Sequence, residues 1–209
     1  MVKDGLSPGS SASVLVQNTA NAWAIAVDAT HVYFTVSGTS GSVQRMLKSG
    51  SNKESIATNQ GDPRGIAVGS THVFWVNRSA GHVERADKAT LAGETLATGQ
   101  GSPTRIAVDA THVFWTNSGS GTVMRASLDG KGLTTLASGY SQAHAIAIDA
   151  TAVYFTTDAA GGTVTKVSKS GGTPVPLAVN QSHPQGVAVD DTHVYFTVNG
   201  SGAVRRAPK

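Results

Sequence analysis

One run of eleven residues recurs five times along this chain. Ile25-Ala-Val-Asp-Ala-Thr-His-Val-Tyr-Phe-Thr35 returns from Ile66, Ile106, Ile146 and Val187, so successive starts lie 41, 40, 40 and 41 residues apart. A fixed period of this length confines the chain to repeat architectures. Each unit is too small to bury an apolar face alone and must lean on its neighbours. The same repetition limits what can be said of chemistry, because most repeated positions answer to packing.

The third unit shows the internal pattern. Arg105–Asp109 and Val113–Thr116 are short apolar runs joined by the turn Asp109-Ala-Thr-His112, and their β-branched and aromatic content is that of strands buried on both faces. Asn117–Gly121 is a glycine-bearing turn, Thr122–Ser127 a third strand, Leu128–Gly132 another turn and Leu133–Ala137 a fourth strand. No segment has a helical period. Four antiparallel strands every 40 residues predict an all-β fold, a β-propeller of five four-stranded blades spanning residues 13–207, with residues 1–12 as a flexible tail.

The phase of the repeat carries a further expectation. Leu15 precedes Ile25 by the spacing at which Ile56, Leu96, Leu136 and Leu177 precede their own repeat starts. Ser13–Gln17 therefore reads as a fourth strand with no blade before it, and Gly202–Ala207 as a third strand with no fourth behind it. Pairing of the two would close the ring within one chain, as a monomer, and remove an open sheet edge. A piece of a longer propeller is the alternative. In the fourth unit, Pro174 and Pro176 fall in the outermost strand, where an edge tolerates proline.

Composition agrees and excludes several function classes. Glycine is frequent (24 residues), 14% of residues are charged, and the net charge of +3 is spread through the repeats. No basic face with interleaved aromatics marks a nucleic-acid binder. No stretch is long and apolar enough to span a bilayer, and the first twelve residues lack the apolar run of a signal peptide, so a soluble chain is expected and its compartment stays open. With no cysteine, disulfides, thiol catalysis and Cys-ligated zinc are ruled out.

These motifs resemble the broad group of YWTD, NHL and streptogramin-lyase-like propellers. Gly65-Ile-Ala-Val68 with Val73-Phe-Trp75, Arg105–Asp109 with Val113–Thr116, and Gly121-Thr-Val-Met-Arg125 match the group's first, second and third strands. The resemblance covers about residues 13–207. The fourth-position Asp of YWTD repeats is Asn at Asn77 and Asn117 and absent from the first unit, so the likeness is to the superfamily. It implies the fold; the group includes binding domains, receptors, sensors and a few enzymes.

Several recurring polar residues read as structure. His31, His72, His112 and His193 occupy one turn position, with Ala152 in the fourth unit. Neighbouring blades are about 10 Å apart, too far for ring nitrogens at about 2 Å from one zinc ion. Local bonding within the turn is expected of them and of Asp28, Asp109, Asp149 and Asp190. Arg45, Arg85, Arg125, Lys166 and Arg206 recur in third strands as long stems laid over the sheet. Gly5-Leu-Ser-Pro-Gly9 imitates a nucleophile elbow but lies in the tail, away from any strand and helix. No metal site and no cofactor are expected.

Function is sought where the copies disagree. One loop position holds Trp23, Arg64, Thr104, His144 and Gln185, and the neighbouring loop set contributes Arg78, Asn117, Asp158 and Asn199. With Asp62, Tyr140 and His183, and without Thr104, these are the candidate ligand-binding residues. Catalytic residues are not assigned. The leading reading is a non-enzymatic binding module offering polar loops to a glycan, peptide or protein, with Trp23 and Tyr140 as stacking platforms. The alternatives are a lyase- or hydrolase-like enzyme at the ring mouth using His144 or His183, and an excised or engineered repeat assembly without a function of its own.

Overall fold

The computed structural model describes residues 12–17 and 19–209, so most of the expected tail, residues 1–11, lies outside the described residues. Five antiparallel sheets, numbered in chain order, make up the fold. Sheet one is β1 (Ala22–Val27), β2 (His31–Val36), β3 (Gly41–Leu47) and β4 (Glu54–Gln60). Sheet two is β5 (Pro63–Val68), β6 (His72–Asn77), β7 (His82–Asp87) and β8 (Gly93–Ala97). Sheet three is β9 (Pro103–Val108), β10 (His112–Asn117), β11 (Thr122–Ser127) and β12 (Thr134–Ala137). Sheet four is β13 (Ala143–Ile148), β14 (Ala152–Thr157), β15 (Gly162–Ser168) and β16 (Val175–Gln181). Sheet five has three strands, β17 (Pro184–Val189), β18 (His193–Val198) and β19 (Ala203–Pro208). Consecutive sheets pack through their first strands, β1 on β5, β5 on β9, β9 on β13 and β13 on β17, in the manner of a β-propeller. Among the described residues no helix is long and apolar enough to cross a membrane.

Alternating side chains of each second strand face opposite neighbours. Trp75 packs with Tyr33 and Val43 of the preceding sheet, while Phe74 joins Trp115 and Val113 of the following one. Phe114 meets Phe155 and Val153 in the same way, and Tyr154 meets Phe196 and Val194. The period of two thus serves two interfaces. Trp115 is fully buried, and truncation to alanine is expected to cost about 3–5 kcal/mol.

The turns between first and second strands repeat one hydrogen-bond set. Asp28 Oδ1 accepts from the backbone N–H of Thr30 and His31 at 2.9 and 2.8 Å, and Oδ2 accepts from the Tyr33 hydroxyl at 2.9 Å. Each turn histidine places Nδ1 at 2.7–2.8 Å from the preceding threonine hydroxyl. Lysines of the next sheet complete the pattern, with Lys88 on Asp28 at 3.2 Å, Lys169 on Asp109 at 2.7 Å and Lys209 on Asp149 at 2.8 Å. Between sheets two and three both members are missing together, replaced by Gly69 and Leu128. The third-strand arginines reach across the same seams, Arg45, Arg85 and Arg125 donating to the carbonyls of Lys88, Leu128 and Lys169.

The sheets do not close. β17 and β1 share no packing comparable to that between the other first strands. Ile25 is 70% exposed where Ile66 and Ile106 are 8% and 7% exposed, and Val204 is 78% exposed where Val43, Val83, Val123 and Val164 are fully buried. The expected pairing of Ser13–Gln17 with the C-terminal sheet is not formed. That segment instead lies on the free face of sheet one, Val16 against Val32, Phe34 and Met46. Leu15 touches the turn at Gly50 as Leu96 touches Gly130. The segment thus keeps a fourth strand's place against sheet one, with Val14 and Leu15 still exposed, and it lacks only the partner strand β19, which the open seam holds away from it. Lys48 and Asp190 hold the ion-pair positions on the two free faces; both are exposed, and neither forms a salt bridge among the described residues.

Burial opposes ionisation of Asp28, Asp109 and Asp149, but the hydrogen bonds from lysine, turn N–H groups and, for two of them, tyrosine hydroxyls override it and hold each carboxyl well below the usual carboxylate range. At Asp190 the Thr192 N–H leads, with the Tyr195 hydroxyl and His193 N–H. A folded pKa below the unfolded value contributes stability that is complete above the unfolded pKa and lost as pH falls through the folded one. The urea midpoint is therefore expected to hold from neutrality to about pH 5 and to fall below about pH 4. Asp109→Asn should lower it at pH 7 and make the acid slope shallower.

Candidate functional site

The loops entering each first strand share one unusual backbone feature. Asn21, Asp62, Ser102, Gln142 and His183 occupy equivalent positions and all have left-handed φ, between 55° and 63°. Only a few non-glycine residues adopt this region readily, so five copies at one place mark a turn that the fold requires. The carbonyl of each accepts from the loop that follows the second strand of the same sheet: Ser37, Arg78, Ser118, Asp158 and Asn199 donate their N–H groups to these five carbonyls in that order, each at 3.0 Å. The two loop sets are thereby stapled on one end of the fold.

A threonine in the second strand then holds the N–H three positions beyond the left-handed residue, in the peptide that follows the divergent position. Thr156 Oγ1 accepts the N–H of Ala145 at 3.1 Å, at the bulge where β13 shifts register. Thr35 plays the same part for Ala24 in β1. The hydroxyls also donate to the neighbouring sheet, Thr35 to the Arg64 carbonyl at 2.8 Å, Thr116 to that of His144 at 2.6 Å and Thr156 to that of Gln185 at 3.4 Å. The divergent ring position is held by its backbone, which leaves its side chains free to differ.

These side chains surround a cavity of about 730 Å³. Trp23, Arg64, Thr104, His144 and Gln185 all line it, one from each sheet, as do Arg78, Ser118 and Asp158 of the second loop set. Of the residues picked out by sequence, Asp62 supports the cavity from beside it, binding the Arg64 guanidinium at 2.9 Å. His183 also stands beside it, Nδ1 3.0 Å from Asp158, whose other oxygen accepts from Gln185 at 3.1 Å. Three candidates lie elsewhere. Asn117 is buried, its amide donating to Gln100 and Thr122 at 3.0 Å, because the asparagine lies at the end of β10 inside the sheet stack. Tyr140 packs edge-on against Phe155 with centroids 4.9 Å apart and is no free platform. Asn199 begins a 3-10 turn after β18 and does not line the cavity.

Arg105 was not among the sequence candidates and does line the cavity. It sits inside the first strand, at a position held elsewhere by Ala24, Gly65, Ala145 and Gly186. One large charged residue in a row of small ones was the available signal. Burial pulls the Arg105 pKa down, helped by the charge of Arg64. His144 is likewise pushed below the usual imidazole range, by burial first and by Arg105 and Arg78, against the opposing pull of the Gln185 carbonyl and Asp158. Its Nδ1 lies 3.3 Å from the Gln185 carbonyl and donates to it, so the neutral ring keeps its lone pair on Nε2. Among the described residues no three His, Asp or Glu side chains gather as a metal site. If the threonine staple positions His144, Thr116→Val, a change of shape that Val76 already makes in sheet two, should cost about 1–3 kcal/mol in urea denaturation by leaving the His144 carbonyl unpaired.

No family model and no curated protein matches the sequence. Solved structures do. The nidogen/laminin complex aligns with a TM-score of 0.63 at 18% identity, over 86% of this chain and 89% of that one. A catalytically inactive virginiamycin B lyase from Staphylococcus aureus with quinupristin aligns at 0.77 and 13%, over 92% and 72%. The computationally designed Ika8 protein aligns at 0.72 and 17%, over 90% and 58%. At these identities the likeness is one of fold alone, that of a β-propeller.

Proposed function

We propose that this chain is a non-enzymatic binding module, a five-bladed ring whose mouth receives a polar glycan, peptide or protein segment. The observation that carries the reading is convergence: five sheets that repeat one another in their packing residues differ at one position, and all five unlike side chains meet in one cavity. A cavity of about 730 Å³ lies within the range of small-ligand sites. Proteins of similar fold are found with laminin and with quinupristin, which fits a scaffold that presents loops to partners. Paired substitution of Trp23→Ala and Gln185→Ala should weaken binding to a hit from a glycan or peptide array at least tenfold and leave the melting temperature within a few degrees. Unchanged binding in that variant, or arrays without a single hit, argues against the mouth.

A specific observation favours one second reading, an acid–base enzyme at the same mouth. His144 is tethered through Nδ1, and its depressed pKa keeps Nε2 unprotonated at neutral pH, as a general base requires. Turnover of any array hit, abolished by His144→Ala while the hit still binds, would move the assignment to this class.

Closure of the ring would add a wall between sheets one and five, and the seam pattern names the closing contacts. By the period of the ladder, closure would pair Asp190 with Lys48, bring the Arg206 guanidinium to the Lys48 carbonyl and bring the Thr197 hydroxyl to the carbonyl of Trp23. Val16 then falls opposite Val204, as Ala57, Ala97, Ala137 and Ala178 fall opposite Val43, Val83, Val123 and Val164. The chain has no cysteine, so Val16→Cys with Val204→Cys gives an unambiguous test, direct cross-strand neighbours being within disulfide reach. Rapid oxidation to a monomeric cross-linked species supports closure within one chain. Cross-links only between molecules, or none, refute it.

A further inference from the structure

Arg105 carries the inference, which rests on the mouth being a binding site and names the chemistry of its ligand. The cavity brings together three guanidinium groups. Arg64 is satisfied, bound to Asp62 at 2.9 Å and stacked on Trp23 with its guanidinium carbon 3.9 Å from the ring centroid. Arg105 lies farther over the same ring, at 5.8 Å, and its one hydrogen bond among the described residues is a long 3.5 Å contact to the Thr104 carbonyl. Neither Arg105 nor Arg78 forms a salt bridge among the described residues. The remaining carboxylate, Asp158, already accepts from His183 and Gln185.

A cation held partly out of water without a counter-ion is costly. The planar fork of a guanidinium answers that cost best with an oxyanion that takes two parallel N–H donors. Around this charge stand the Gln142 amide, the hydroxyls of Ser102, Thr104 and Ser118, and one aromatic ring, Trp23, 49% exposed. The Thr104 and Ser118 hydroxyls donate to one another and to the Ser102 carbonyl, which leaves their oxygen lone pairs to accept from a ligand hydroxyl. Hydroxyl-rich walls with a single aromatic plate suit a sugar ring. Together with an unneutralised guanidinium they suit a sugar that bears an acid.

We propose that the mouth binds an acidic sugar, its carboxylate held by Arg105 with Arg78 alongside and its hydroxyls bonded to the serine, threonine and glutamine side chains of the rim. Sheets one and four already place alanine at the Arg105 position, as Ala24 and Ala145, so Arg105→Ala is compatible with the fold.

The test is calorimetric titration with a galacturonic acid trisaccharide and with its methyl ester, in which each carboxylate becomes an uncharged ester and the ring hydroxyls are kept. The acid should bind at least tenfold more tightly than the ester. Arg105→Ala should remove that preference, Arg105→Lys should retain part of it, and Lys131→Ala, which deletes an exposed charge elsewhere, should leave it unchanged. Equal binding of acid and ester, indifferent to Arg105, overturns the acidic ligand while leaving a binding mouth in place. Saturable binding of an acidic peptide with none of either sugar overturns the sugar assignment. No saturable binding of the acid overturns the proposal outright, and the array experiment decides separately whether the mouth binds anything else.

Discussion

Burial of both faces of every sheet is the constraint on which the rest depends. A four-stranded sheet with tryptophan or phenylalanine on one side and phenylalanine or tyrosine on the other cannot stand alone in water. Sheets two, three and four have a neighbour on each side, and their central side chains are almost wholly buried. Sheets one and five have one neighbour each, and their apolar residues at the free faces, Ile25, Val27 and Val204, are exposed. The residues are of the same type throughout, so exposure here reports position in the stack rather than a change of role.

Polar contacts decide how the stacked sheets are aligned. The lysine–aspartate pairs are partly exposed, and each contributes little alone. Their value is in register, since a lysine finds its aspartate only when adjacent sheets sit at one height and angle. The joint loss of both partners at Gly69 and Leu128 fits that view, because a single loss would have left an uncompensated charge beside the seam. The threonine staples act at the other end, fixing the backbone at the mouth while leaving the next side chain free to vary. The scaffold is thereby rigid where the copies agree and variable where a ligand would be read.

The architecture was legible because packing writes the same residues again in each unit. Val113-Phe-Trp-Thr116 announces a doubly buried strand, and Pro103, Pro63 and Pro184 fall at the starts of first strands, where a missing N–H does no harm. The mouth was half legible. Unlike residues at a repeated position pointed to Trp23, Arg64, His144 and Gln185, and these do converge. Asn117 and Tyr140 misled, since a polar or aromatic residue near a turn can equally end in the interface between sheets. Arg105 escaped because it lies within a strand, where a charge is ordinarily assigned to the solvent face.

The sequence by itself determined the strand content, the five-fold period, the turn chemistry and the phase at which the repeat starts and stops, because each is a local pattern of burial and backbone preference. Only the tertiary structure decided which unlike side chains share a cavity, which carboxylates are already taken and where the N-terminal segment lies. Those depend on distances between sheets some 40 residues apart along the chain, and on competition between partners that no local pattern records. A guanidinium without a carboxylate is visible only once every neighbour's bonds have been counted.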